Sequence, residues 1–247
     1  FENFDRGQLI MACGTGKTLI SFWIYDQIRS NRCFFLTPTL DLINGVFKTW
    51  TTEIFALKRD VRICVFCSSE DTIQSEYDSF NTDLSGIGVE LIKKPEDFQR
   101  WYNTNKKKPI VVISTYQSSN KLIDISKETN IKWDLGFFDE AHRTIETIKE
   151  KKSSLLLYDK NLICKKRLFL TATQKILKSK IKRVDMSNEN IYGKEIWKLS
   201  FKDAINKYKC LTNYSLKTID IMEDEIKNLV IKNKKLQLKD GNKIQPS

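Results

Sequence analysis

One stretch near the start of the chain, residues 9–18, limits the possible folds more than any other. It is an apolar run that ends in a short loop, and a helical pattern begins directly after the loop. The loop consists of Gly14, Thr15, Gly16, Lys17 and Thr18. A strand, a glycine-rich turn and a helix start, in this order, turn successive backbone N–H groups and the positive end of the helix towards an anion. The stretch therefore predicts a phosphate-binding loop.

The positions of this loop match most of the pattern G-x-x-x-x-G-K-[ST], which binds nucleoside triphosphates. Met11 stands where the pattern has its first glycine. Lys17 is expected to reach the β- and γ-phosphates, and the hydroxyl of Thr18 is expected to bind Mg²⁺. The sequence thus predicts that a nucleoside triphosphate binds here together with Mg²⁺.

Strand-like apolar runs alternate with helical patterns along most of the chain. A first strand leads into the loop, and further strands are predicted at 33–36, 61–67, 89–92, 110–113, 135–138 and 167–170, with a last candidate near 213–221. This alternation predicts an α/β fold with a mostly parallel sheet that helices cover on both faces. The first helix is predicted from apolar residues at helical spacing, namely Leu19, Ile20, Trp23, Ile24 and Ile28.

A pair of adjacent acids, Asp139 and Glu140, follows the predicted strand at 135–138. Open α/β sheets bind ligands at the carboxyl ends of their strands, which is where both the acids and the loop are expected. Asp139 would hold Mg²⁺, usually through water, and Glu140 would orient the attacking water or accept its proton. Together with the loop, the acids indicate nucleotide hydrolysis.

His142 is the single histidine of the chain. It is predicted to hydrogen-bond the polar motif after the next strand and not to act as a general base. The hydroxyl-bearing residues of that motif could relay the nucleotide state to a bound partner. The motif consists of Thr171, Ala172 and Thr173.

The charge of the chain favours a polyanionic partner. Lys and Arg number 42 against 31 Asp and Glu, which gives a formal net charge of +11. Each phosphate that a basic side chain neutralises releases counterions, so nucleic acid is the expected partner. The alternative is a solvated lysine-rich surface that reflects only the composition of the genome.

Neither the cysteines nor the hydropathy pattern indicates a metal site or a membrane segment. Cys64 and Cys67 form a CxxC, but on a strand their side chains point to opposite faces, so free thiols are expected. No apolar run approaches the roughly 18 residues of a membrane span, which favours a cytoplasmic protein with no membrane partner.

The polar motifs, taken together, resemble those of superfamily 2 helicases of the DEAH type. Residues 12–18, 139–142 and 171–173 look like motifs I, II and III of that family. Residues 37–39 resemble motif Ia, and residues 114–117 resemble motif Ib. Similarity to the restriction-enzyme branch, which includes type III restriction subunits, rests on residues 5–8, 192–193 and 199–201.

The resemblance implies a RecA-like first motor domain that uses ATP and Mg²⁺. It implies a domain over residues 1–222, followed by a charged linker, 223–247, towards a second RecA-like domain in the full-length chain. It also implies contacts with the sugar-phosphate backbone of nucleic acid, which position a strand without reading its sequence. The residues implied in these contacts are Pro38, Thr39, Thr115, Tyr116 and Gln117.

The function expected from these features is that of an ATP-dependent DNA helicase or translocase. An RNA helicase is one alternative, and a nucleotide-dependent interaction switch without productive hydrolysis is another. Family members complete the ATP site with an arginine finger from their second motor domain, and no such motif is found here. The isolated chain is therefore expected to hydrolyse ATP slowly or not at all.

Overall fold

The computed structural model describes residues 4–67, 89–145, 152–177 and 184–213. The strands in these ranges are β1 (Arg6–Met11), β2 (Arg32–Thr37), β3 (Arg62–Phe66), β4 (Val89–Ile92), β5 (Ile110–Thr115), β6 (Trp133–Asp139), β7 (Cys164–Thr171) and β8 (Lys194–Leu199). The α-helices are α1 (Lys17–Ile28), α2 (Leu40–Ala56), α3 (Pro95–Asn105), α4 (Ser119–Glu128), α5 (Glu189–Tyr192) and α6 (Phe201–Asn206). Short 3₁₀ turns lie at Tyr116–Ser118, Ala141–Thr144 and Lys152–Leu157.

The strands form one eight-stranded sheet in the order β4-β3-β5-β2-β6-β7-β1-β8. Every neighbouring pair is parallel. Strands buried on both faces read as continuous apolar runs, and all six residues of β5 are buried. The predicted α/β class with a parallel sheet is confirmed. Because all strands run the same way, their carboxyl ends share one edge of the sheet.

Helices cover both faces of the sheet. One face packs against α1 and α2, with Phe22 and Trp50 fully buried there. The other face packs against α3 and α4, where Phe98 is fully buried. Cys64 faces this second side and Cys67 the first, so the two thiols point to opposite faces as predicted. All six cysteines are free.

The residues of α1 that are buried are not the apolar residues whose spacing predicted the helix. Ser21, Phe22 and Tyr25 are buried, whereas Trp23 is 53% exposed and its indole N–H reaches Glu53. The helix is apolar around most of its circumference, so the pattern marked a helix without marking which side faces the sheet.

Two elements of the sheet region were not predicted from sequence. Strand β8 lies at the edge of the sheet beside β1, and most of its residues are exposed. Helix α4 was not predicted either, although it buries an apolar face. Nearly all of the strand candidate at 213–221 and all of the linker at 223–247 lie outside the described residues.

The chain divides into two compact units, residues 1–211 and residues 212–247. The first unit carries the whole sheet. None of the helices in the described ranges has both the length and the apolar character that crossing a bilayer requires.

Candidate active site

The phosphate loop connects the carboxyl end of β1 to the start of α1. Gly14 has φ of +79° and Gly16 has φ of +86°, in the left-handed region that glycine adopts without steric cost. Gly16 is also the N-cap of α1, and no side chain caps that helix end. The first N–H groups of the helix and its positive dipole end are therefore directed at the loop, as an anion site requires.

Internal hydrogen bonds hold the loop in this shape. The Thr15 hydroxyl donates to the carbonyl oxygen of Ala12 at 2.6 Å. The Lys17 ammonium group donates to the carbonyl oxygen of Met11 at 3.3 Å, which keeps the side chain folded over the loop. Thr18 follows in the first turn of α1 and is half-buried. Lys17 and Thr18 thus lie side by side in the first turn of α1, directly after the loop glycines.

Asp139 and Glu140 lie at the same edge of the sheet as the loop, with one strand between theirs and β1. Asp139 is the last residue of β6, only 8% exposed, and β7 separates β6 from β1. Burial, followed by the charge of Glu140, raises the pKa of Asp139 to about 6, while the charge of Lys17 opposes this rise. The charge of Lys17 therefore acts on the Asp139 carboxylate, and the loop and the acids share one edge of the sheet.

The oxygen atoms of this site suit Mg²⁺. Magnesium prefers oxygen ligands and is usually held by one or two carboxylates together with substrate phosphates. A buried carboxylate with a raised pKa is a group that a bound cation would keep ionised. Within the described ranges no three His, Cys, Asp or Glu side chains cluster as a metal site.

Glu140 has an unusual backbone conformation. Its φ is +48° and its ψ is +48°, so this non-glycine residue lies in the left-handed region. Residues held in such conformations cost free energy and cluster at functional sites. The 3₁₀ turn Ala141–Thr144 begins directly after this residue.

His142 connects the acids to the motif at the end of β7. Its Nδ1 lies 2.9 Å from the Thr171 hydroxyl and 3.2 Å from a carboxylate oxygen of Glu140. The Thr171 hydroxyl also donates to the Thr173 carbonyl oxygen at 3.0 Å. Burial, first among several causes, lowers the pKa of His142, which leaves the ring neutral at pH 7. Ala172 is half-buried and Thr173 is exposed.

The five residues implied in nucleic-acid contact do not form one exposed set. Thr39 and Gln117 are exposed and Pro38 is half-buried. Thr115 and Tyr116 are buried, each 5% exposed, and both hydroxyls are used inside the protein. The side chains of Thr115 and Tyr116 are thus turned into the protein, and contact of the five residues with nucleic acid stays a prediction. Thr115 is buried because it ends a central strand, and Tyr116 is buried because its side chain turns inwards directly after that strand.

Two polar contacts near the site were not found from sequence. The hydroxyl of Tyr116 donates to the backbone carbonyl oxygen of Asp139 at 2.7 Å. The amide of Gln174, just beyond the Thr171–Thr173 motif, donates to Gln8 on β1 at 3.1 Å. Both join residues far apart in the chain, so no local pattern signals them.

A family model described as "Type III restriction enzyme, res subunit" matches residues 1–176. Among curated proteins, the chain is similar to "Probable helicase A859L" of African swine fever virus. In the Kenyan isolate KEN-50 the identity is 24% over 204 residues, covering 83% of this chain and 21% of the viral protein. In the Malawian isolate Lil 20-1 it is 25% over 206 residues, again covering 83% and 21%. The chain spans about a fifth of the length of these relatives.

Two solved structures of restriction-modification enzymes are similar to the described fold. The ATP-dependent Type ISP enzyme LlaBIII, bound to DNA, matches with a TM-score of 0.67 and 27% identity, over 84% of this chain and 14% of that chain. A nuclease-deletion mutant of the Type ISP enzyme LlaGI, in complex with a DNA substrate mimic, matches with a TM-score of 0.68 and 25% identity. That match covers 85% of this chain and 17% of the other.

Proposed function

The chain belongs to the family of the type III restriction enzyme res subunit, as a RecA-like domain of superfamily 2 helicases, and we propose that it is the ATP-hydrolysing motor domain of a DNA helicase or translocase. The observation that carries this proposal is the position of the loop and the acid pair at the same carboxyl edge of the sheet, where the charge of Lys17 acts on Asp139. It brings a phosphate loop and a carboxylate pair into one site, which is the arrangement that phosphoryl transfer to water needs.

In the proposed reaction, Lys17 and the N–H groups of the loop bind the β- and γ-phosphates of ATP. Glu140 orients a water molecule and accepts its proton as the water oxygen bonds to the γ-phosphorus. The bond from that phosphorus to the bridging oxygen breaks, and ADP and phosphate leave. Thr18 and Asp139 would hold Mg²⁺, which neutralises charge on the phosphate oxygens when it is bound.

We propose that the nucleic-acid partner is DNA. Two similar proteins are described as bound to DNA or to a DNA mimic, and the net charge of +11 suits a polyanion. The exposed residues Thr39 and Gln117, with half-buried Pro38, would contact the strand backbone. We further propose that residues 1–222 are the first motor domain and that residues 223–247 lead to a second RecA-like domain in a longer protein. In this proposal the isolated chain hydrolyses ATP slowly, because the second domain supplies the arginine finger.

The test compares the wild type with Glu140→Gln in a single-turnover ATP assay, with protein in excess over ATP. Single-stranded DNA, duplex DNA and RNA are added in separate reactions. We expect DNA to stimulate hydrolysis more than RNA, and Glu140→Gln to slow hydrolysis about 10²- to 10⁴-fold while ATP still binds. If RNA stimulates hydrolysis more strongly than DNA does, the partner is RNA and not DNA. If ATP binds but Glu140→Gln leaves the hydrolysis rate unchanged, a nucleotide-dependent switch would be favoured over a motor.

A further inference from the structure

Tyr116 lies directly after β5, at the start of the 3₁₀ turn Tyr116–Ser118. Its side chain points into the protein and is 5% exposed. The hydroxyl donates to the backbone carbonyl oxygen of Asp139 at 2.7 Å, a short and fully buried hydrogen bond. Burial raises the pKa of the Tyr116 phenol well above its ordinary value, so the hydroxyl stays a donor at neutral pH.

The acceptor of this bond belongs to the peptide group that joins Asp139 to Glu140. The orientation of that peptide plane sets ψ of Asp139 and φ of Glu140. Glu140 is held at φ +48°, a left-handed conformation that costs a non-glycine residue free energy. A buried hydrogen bond to the carbonyl oxygen of this peptide group stabilises its orientation, because rotating the plane would leave the phenol donor unpaired.

We propose that Tyr116 is a positioning residue for hydrolysis: its hydroxyl fixes the peptide plane between Asp139 and Glu140 and thereby the direction of the Glu140 carboxylate. The inference rests on the proposed role of Glu140 in activating water. Tyr116 touches neither nucleotide nor water in this role. Catalysis is sensitive to such placement, because small displacements of a reacting group reduce rates steeply.

The chain offers a matched control in Tyr192. This tyrosine is also fully buried, and its hydroxyl lies 2.9 Å from that of Thr144, in the turn that follows Glu140. Tyr192→Phe therefore removes a hydroxyl of the same kind from the same region, and the hydroxyl that it removes is the one that contacts Thr144.

The experiment measures two quantities for each purified variant, the affinity for a fluorescent ATP analogue with Mg²⁺ and the single-turnover hydrolysis rate. We expect Tyr116→Phe to reduce the rate about three- to tenfold, the effect of one hydrogen bond, while the affinity stays within about twofold. Tyr192→Phe is expected to keep the wild-type rate. In the double variant Tyr116→Phe with Glu140→Gln, the rate should equal that of Glu140→Gln alone, because Tyr116 acts only through Glu140.

A rescue variant separates hydrogen bonding from packing. Replacing Tyr116 by 4-aminophenylalanine keeps a hydrogen-bond donor at the ring, and we expect this protein to recover most of the lost rate. The rescue also keeps the inference testable if the phenylalanine variant folds poorly. No recovery in a folded rescue protein would overturn the inference.

The remaining outcomes separate this inference from the proposed function. If the wild type binds no ATP, or if Glu140→Gln does not slow hydrolysis, the proposed function fails and the inference fails with it. If Glu140→Gln slows hydrolysis but Tyr116→Phe slows it no more than Tyr192→Phe does, only the positioning role is overturned. Additive losses in the double variant would likewise overturn it.

Discussion

Asp139 is expected to destabilise the fold at neutral pH when no nucleotide or Mg²⁺ is bound. Its carboxyl is 8% exposed, and burial, with the charge of Glu140, raises its pKa from 3.8 to about 6. One pH unit of difference corresponds to about 1.4 kcal/mol, so ionising this group costs the folded state about 3 kcal/mol relative to the unfolded chain. Replacing Asp139 by Asn removes the ionisation and with it this cost.

The sign follows from proton binding. Between about pH 4 and pH 6 the folded state holds the Asp139 proton and the unfolded state has lost it, so rising pH destabilises the wild type through this group. The stability gain of Asp139→Asn should therefore grow across that range and level off near pH 7. For a domain of this size, a gain of about 3 kcal/mol raises the melting temperature by about 6–12 °C.

The assay is thermal unfolding of both proteins from pH 4 to pH 8 in buffer with a chelator and no nucleotide. The matched control is Asp185→Asn. Burial raises the pKa of Asp185, but hydrogen bonds from Ser187 and Leu177 outweigh it and lower the pKa overall. Asp185→Asn should therefore lower the free energy of unfolding at neutral pH, and this decrease should become smaller as pH falls. A difference between Asp139→Asn and wild type that does not change with pH would refute the burial of a costly charge.

Three further predictions concern the loop, the sheet and the motif after β7. Lys17→Ala should weaken ATP binding at least about tenfold, because a charge-assisted contact is lost, as measured by fluorescence titration. Gly136→Ala should cost about 1–3 kcal/mol in chemical unfolding, because an added Cβ would lie 2.2 Å from the buried ring of Phe34. Thr171→Val removes a hydroxyl that contacts His142 and should reduce DNA-stimulated hydrolysis about two- to tenfold with unchanged ATP affinity.

Each of these has an outcome that contradicts it. Unchanged ATP affinity in Lys17→Ala would mean that the loop does not bind phosphate. Gly45→Ala is the control for Gly136→Ala, since no atom lies within 4 Å of its added Cβ and alanine is favoured in a helix. Equal stability of the two variants would contradict the predicted clash. Lower ATP affinity in Thr171→Val would indicate a role in binding instead of in coupling.

Much of the fold was predictable because parallel strands buried on both faces leave a local signal. The strands at 33–36 and 110–113 were identified from continuous apolar runs, and both are fully buried. Strand β8 was not identified, because an edge strand with mostly exposed residues carries no such run. The inward face of α1 was not predicted either, because neighbouring elements decide which side of an apolar helix is covered.

Sequence alone determined the chemical groups of the candidate site and their order along the chain. A phosphate loop must place its glycines, lysine and threonine within one turn, so adjacent residues reveal it. Tertiary structure decided what joins these groups: the effect of Lys17 on Asp139, the contact of His142 with Thr171, and the burial of Tyr116 against the Asp139 carbonyl. These are contacts between strands that the sheet brings together from distant segments, and no local pattern encodes such distances. The loop specified that a triphosphate can bind, and the order of the strands in the sheet specified which distant groups lie at the same edge as the loop.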